Sequence, residues 1–95
     1  MDNVDEVLEV KNRMVMRGKT IKVLRIIKDK TLQDVVKDTG LAISTLSAME
    51  NETRKVTSFS QLKLTRYLLN ELQYTPDEVV VLQAFINQKE GDYIA

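Results

Sequence analysis

Residues 31–51 read TLQDVVKDTGLAISTLSAMEN, and two short helices separated by a glycine are legible in that stretch. Thr31 stands where a side-chain oxygen accepts from the exposed amides of a helix start. Asp34, three residues on, completes a box-like pattern with Asp in place of Glu. Leu32, Val35 and Val36 supply an apolar side, and Gly40 suits the left-handed position that closes a helix. The spacing therefore predicts a helix over 32–38. A helix so short does not persist alone, so its neighbours must hold it. After Leu41 in the turn, a second helix is expected over 43–51, with Leu46 and Met49 inward at i and i+3 and Thr45 beside them. Ile43, Ser44, Ser47, Ala48 and Asn51 form the opposite face.

Upstream of this pair, Ile21, Leu24, Ile27 and Lys28 recur at helical spacing while Lys22, Arg25 and Asp29 point outward, which predicts a helix over 19–29. Gly18 divides that helix from an N-terminal arm, residues 1–17. Within the arm, Val7-Leu8-Glu9-Val10 and Arg13-Met14-Val15-Met16 fit a short hairpin. The same residues also fit a helix with Val4, Val7, Leu8 and Lys11 along one side. Downstream, Asn51 to Lys55 form a polar connector, and a helix over 60–72 puts Leu62, Tyr67 or Leu68, Leu69 and Leu72 on a broad apolar face. Thr75-Pro76-Asp77-Glu78 is the clearest helix start in the chain, with Thr as cap, Pro in first position and acids in the first turn. That helix is expected to run to about Lys89, leaving 91–95 as a frayed end. The expected organisation is an arm over 1–17 and one all-α domain over 18–90.

Ninety-five residues bury one modest core, and it must be aliphatic, because Trp is absent and Phe is limited to Phe59 and Phe85. With neither Cys nor His, disulfides, thiolate or imidazole metal sites and the usual nucleophile–base pairs are excluded. No catalytic residue, metal ligand or cofactor is assigned. No long apolar run and no signal-like N-terminus is present, so the expectation is a cytoplasmic protein without membrane contact. The net charge is zero, but it is unevenly spread. Residues 17–37 hold seven bases against two acids, and residues 54–66 hold Arg54, Lys55, Lys63 and Arg66 with no acid, which allows a basic face on a neutral chain.

The stretch 31–51 resembles the helix-turn-helix of the phage repressor and Cro family. The resemblance is carried by Thr31, by Thr39-Gly40-Leu41 before the second helix, by inward Leu46, and by Met49-Glu50-Asn51 at that helix's end. It extends from Gly18-Lys19-Thr20-Ile21 through Leu24-Arg25, and on to Leu68, Leu69, Leu72 and Asp77-Glu78-Val79. It implies a compact five-helix, lambda-repressor-like DNA-binding domain with the helix 43–51 in the major groove, acting as a homodimer on an inverted repeat in double-stranded DNA. Carried over residue by residue, Ile43, Ser44, Ser47 and Ala48 face the bases. Asn51 lies near the backbone, and Thr31 and Gln33 stand where a helix start can present an amide and a side chain to a phosphate. The chain departs from the family's pattern at Leu32, where Gln is common, and at Val36, where a small residue is common.

From the residues alone, Arg54, Lys55, Lys63 and Lys19 are candidates for phosphate contact. In the last helix Val79 to Leu82, Phe85 and Ile86 are apolar nearly all round, so Val80, Val81, Phe85 and Ile86 are expected at a dimer interface unless the arm covers them through Val7, Leu8 and Met14. The competing reading is a helix-turn-helix scaffold that works mainly against a protein partner, as an antirepressor or partner-dependent regulator.

Overall fold

In the computed structural model, which describes residues 4–94, the start of the helix at Leu32 is closed from both sides. The Thr31 hydroxyl accepts from the Asp34 amide at 3.1 Å, and the Asp34 carboxylate accepts from the Thr31 amide at 2.8 Å. At the other end Gly40 takes φ 75° and donates its amide to the Val36 carbonyl at 2.8 Å. Between these two stops lies α3, Leu32–Thr39, and α4, Ile43–Glu50, follows across the turn. The order is completed by α1 (Val4–Arg13), α2 (Gly18–Ile27), α5 (Ser58–Arg66), a π-helical turn over Tyr67–Glu71, and α6 (Pro76–Ile94). No strand occurs among the described residues.

The arm is thus a helix and not a hairpin, and the described residues form six helices, the five expected and the arm's own. Asp5 and Glu6 in its first turn and Lys11 and Arg13 in its last match the sign of the helix dipole. Val7 and Val10 at i and i+3 go into the core, and Arg13 joins Asp77 of α6 at 2.7 Å. Consequently α1 packs on both α5 and α6 and belongs to the domain. The segment after it, Met14 to Arg17, is not helical, and two glutamines satisfy its backbone. Gln61 of α5 accepts from the Met16 amide and donates to the Met14 carbonyl, both at 3.1 Å. Gln83 of α6 accepts from the Arg17 amide at 2.7 Å and from the Thr20 hydroxyl at 2.8 Å, and donates to the Val15 carbonyl at 2.8 Å.

The core gathers Val10, Met16, Ile21, Leu24, Val35, Leu46, Met49, Leu64, Leu68 and Val79, each almost wholly buried. The register of α2 differs from the expectation. Ile26, Ile27 and Lys28 are exposed, whereas Arg25 turns inward with Ile21 and Leu24. Gly18 explains how closely α2 meets α4: a Cβ at that position would lie 1.5 Å from the Met49 carbonyl oxygen, so any side chain forces the two helices apart. The helix expected over 60–72 starts earlier, because Thr57 caps it at the Ser60 amide (3.1 Å), and it widens at Tyr67, whose carbonyl accepts from the Leu72 amide at 3.1 Å. That widening accompanies burial of the consecutive Tyr67, Leu68 and Leu69. Finally, α6 continues past Lys89 through Gly91 to Ile94. Among the described residues, no helix is long and apolar enough to cross a membrane.

Candidate nucleic-acid interface

The second helix of the pair is anchored from behind. Leu46 and Met49 are 0% and 1% exposed, and Glu50, one turn on from Leu46, is buried beside them. Its two carboxylate oxygens accept from Nε and Nη2 of Arg25, each at 2.9 Å, in a bidentate pair whose side chains are 12% and 3% exposed. Arg25 also donates to the Lys30 carbonyl at 2.7 Å, beside the start of α3. The Glu50 hydrogen bonds raise the guanidinium pKa still further, so it stays charged. One ion pair therefore ties α2, the approach to α3 and the end of α4 together. From the sequence alone Arg25 is expected to point outward, and Glu50 is assigned no role. The signal was present, because Leu46, Met49 and Glu50 sit at i, i+3 and i+4 and Arg25 follows Ile21 by four.

The front of α4 is open. Ile43 and Ser44 are exposed, Ser47 and Ala48 are half-buried, and Asn51 is exposed at the helix end. Ala42 precedes the helix and offers no side-chain acceptor, so the first amides of α4 have no cap. Because Glu50 is turned away to Arg25, this face carries no carboxylate.

The candidate phosphate residues do not form one patch. Arg54 and Lys55 are together on the exposed connector after α4, where they line a cleft of about 290 Å³ with Arg17, Gly18, Met49 and Glu52. Arg54 reaches back to the Thr45 hydroxyl at 3.3 Å. Lys63 lies elsewhere: it is half-buried, donates to the Thr39 carbonyl at 3.3 Å and sits 5.0 Å from the Phe59 ring centre. Lys19 pairs with Glu90 of α6 at 3.0 Å. At the start of α3 Gln33 is exposed, but the Thr31 amide is already held by the Asp34 carboxylate, which places a negative charge where a phosphate was expected. The Thr31 hydrogen bonds keep that carboxyl below its usual range.

Arg17 is a second hub that the sequence reading missed. It binds Glu52 through Nη2 at 2.6 Å and Nε at 2.9 Å, binds Glu90 through Nη1 and Nη2, and donates to the Asn87 side chain at 2.8 Å. The basic run 17–37 therefore spends Arg17, Lys19 and Arg25 on acids from later in the chain. Hydrogen bonds from Arg17 first, then Lys19, lower the Glu90 pKa from 4.5 to about 2. A carboxyl depressed in the folded state contributes stability above its unfolded pKa and loses it as pH falls through the folded value. We expect Glu90→Gln to melt below the wild type near neutral pH. The gap should close as pH falls from about 4.5 toward 2, read by thermal melting across that window. A gap independent of pH would remove the ion pair as its cause.

On α6, Val81 and Phe85 are 63% and 54% exposed, whereas Ile86 is 7% exposed and Val80 is half-buried. Of the four residues expected at a dimer interface, Ile86 is therefore occupied within the chain. The α1 helix packs on α6 but leaves Val81 and Phe85, and its own Leu8, in solvent. Comparisons with family models, with curated proteins and with solved structures found no match for this chain.

Proposed function

We propose that this chain is a DNA-binding transcriptional regulator of the phage-repressor helix-turn-helix kind, which inserts α4 into the major groove and acts as a homodimer on an inverted repeat. The observation that carries this reading is the asymmetry of α4. Its back is locked by Leu46, Met49 and the Arg25–Glu50 pair, while its front is exposed, free of acids, and flanked on the following connector by Arg54 and Lys55. A short helix held rigidly from behind meets a groove without losing much conformational freedom on binding. Exposed Val81 and Phe85 on α6 offer an apolar strip for the second copy.

Selection from random duplexes tests the whole proposal. It should return an inverted repeat with half-sites about one helical turn apart. Titrations against salt then separate positioning from reading. Lys55→Ala should weaken selected and random duplex about equally and lower the salt slope by roughly one. Ser44→Ala should weaken chosen base pairs and leave that slope unchanged. If no duplex is retained at about 150 mM salt, where even non-specific contacts of such proteins are measurable, the proposal falls.

The second reading, a scaffold that docks on another protein, is favoured by one feature. Val4, Val7, Leu8, Phe59 and Leu62, with Lys63 and Arg66, line a groove of about 350 Å³ between α1 and α5.

A further inference from the structure

We infer that α4 discriminates bases through the C5-methyl group of pyrimidines, with Ile43 as its main contact and Ala48 as the second; this rests on the DNA-binding reading above and names what that helix reads. Major-groove readout by hydrogen bonds relies on Arg, Lys, Asn, Gln, Asp or Glu, which match a donor–acceptor pair on one base edge. The exposed side of α4 holds none of these before Asn51 at its very end. Ser44 and Ser47 contribute single hydroxyls that both donate and accept, so each reads a base edge less sharply than a bidentate side chain does. The one apolar feature of the major groove is the methyl at C5, which thymine carries and cytosine lacks unless methylated.

The geometry supplies an apolar counterpart. Ile43 is 41% exposed in the first turn of α4 and stands outside the core cluster, which this helix joins through Leu46 and Met49. A β-branched residue has no helix-propensity advantage at such a site, so local preference does not account for it. Ala42 before the helix is exposed, and Ala48 is half-buried at the other flank of the front, about 140° round the helix from Ile43. The remaining front residues up to Ala48 are serines, so no long side chain holds the helix away from the base edges. Glu50 is turned back to Arg25, so no carboxylate on α4 repels the approach. Small and apolar side chains, close approach and absent charge together suit a methyl contact.

Thymine and 5-methylcytosine present the same group, and synthetic duplexes distinguish them. The duplex selected above is remade with deoxyuridine at each thymine of the half-sites, which removes the methyl and keeps the pairing. It should bind about fourfold more weakly for each methyl that is contacted, the worth of one buried methyl. At a sensitive position, changing T·A to C·G and then to 5-methyl-C·G should lose and then regain affinity if methylated DNA also serves. No regain assigns the contact to thymine. Ile43→Ala should bring the thymine-to-uracil ratio at its position close to one while its melting temperature stays that of the wild type. Equal binding to thymine and uracil duplexes overturns the inference and leaves DNA binding standing. A ratio that survives both Ile43→Ala and Ala48→Gly overturns it as well. Failure to retain any duplex removes the DNA-binding reading itself.

Discussion

Glu50→Ala is expected to lower the unfolding free energy by about 3–5 kcal/mol, the cost of stranding one partner of a buried ion pair. Removing the carboxylate leaves Arg25, 12% exposed, with its Nε and Nη2 donors unmatched and its charge uncompensated. Arginine does not lose its proton to escape this, so the chain must expose the guanidinium or unfold. Against a domain stability of roughly 5–15 kcal/mol, such a loss leaves a substantial unfolded fraction at ordinary temperature. Chemical denaturation of the wild type, Glu50→Ala and the double variant Arg25→Met/Glu50→Leu measures it. The double variant should recover most of the loss, because replacing both partners by apolar groups avoids the stranded charge. An unchanged midpoint for Glu50→Ala would mean that the pair contributes nothing in solution. DNA affinity adds a second readout: if the pair sets the angle of α4, the double variant should fold yet bind duplex less tightly than the wild type.

Leu46→Ala should cost about 2–5 kcal/mol, through lost transfer energy plus the cavity that remains. The upper half of that range is expected, because Leu46 is fully buried in the same cluster as Ile21 and Leu24 of α2, Val35 of α3 and Met49 of its own helix. A site framed by separate rigid elements collapses poorly around a deletion. Ser44→Ala, on the front of the same helix, should stay within about 0.5 kcal/mol of the wild type and serves as the control. A cost below about 0.5 kcal/mol for Leu46→Ala would put the residue at the surface and reverse the face of α4 that is available to DNA.

Local signals were enough where the chemistry is local. The Thr31–Asp34 box, Gly40 in the left-handed position and the Thr75-Pro76 start are each closed by atoms three or four residues away. They mark their helix ends without help from the rest of the chain. Leu46 and Met49 followed from periodicity, because the spacing of apolar residues on a helix depends only on its pitch. The arm was undecided for the opposite reason. Its residues suit two local structures, and what selects the helix is burial of Val7 and Val10 against α5 and α6 and the link from Arg13 to Asp77.

The candidate site divides along the same line. The sequence by itself determined a short helix pair around Gly40, the inward Leu46 and Met49, and a front of Ile43, Ser44, Ser47 and Ala48 with no long reader. Tertiary structure alone decided where the charges go. Arg17, Lys19 and Arg25 lie in a run that reads as a basic surface, yet they meet Glu52, Glu90 and Glu50, partners between 25 and 73 residues away. Lys63, adjacent in sequence to the same basic stretch as Lys55, turns to the end of α3 instead. Long flexible side chains find partners across the fold, and no local preference encodes which acid each one meets. Helix ends and apolar faces are set by backbone geometry within a few residues, so they are written along the chain; ion pairs are set by which helices become neighbours, so they exist only once the bundle has closed.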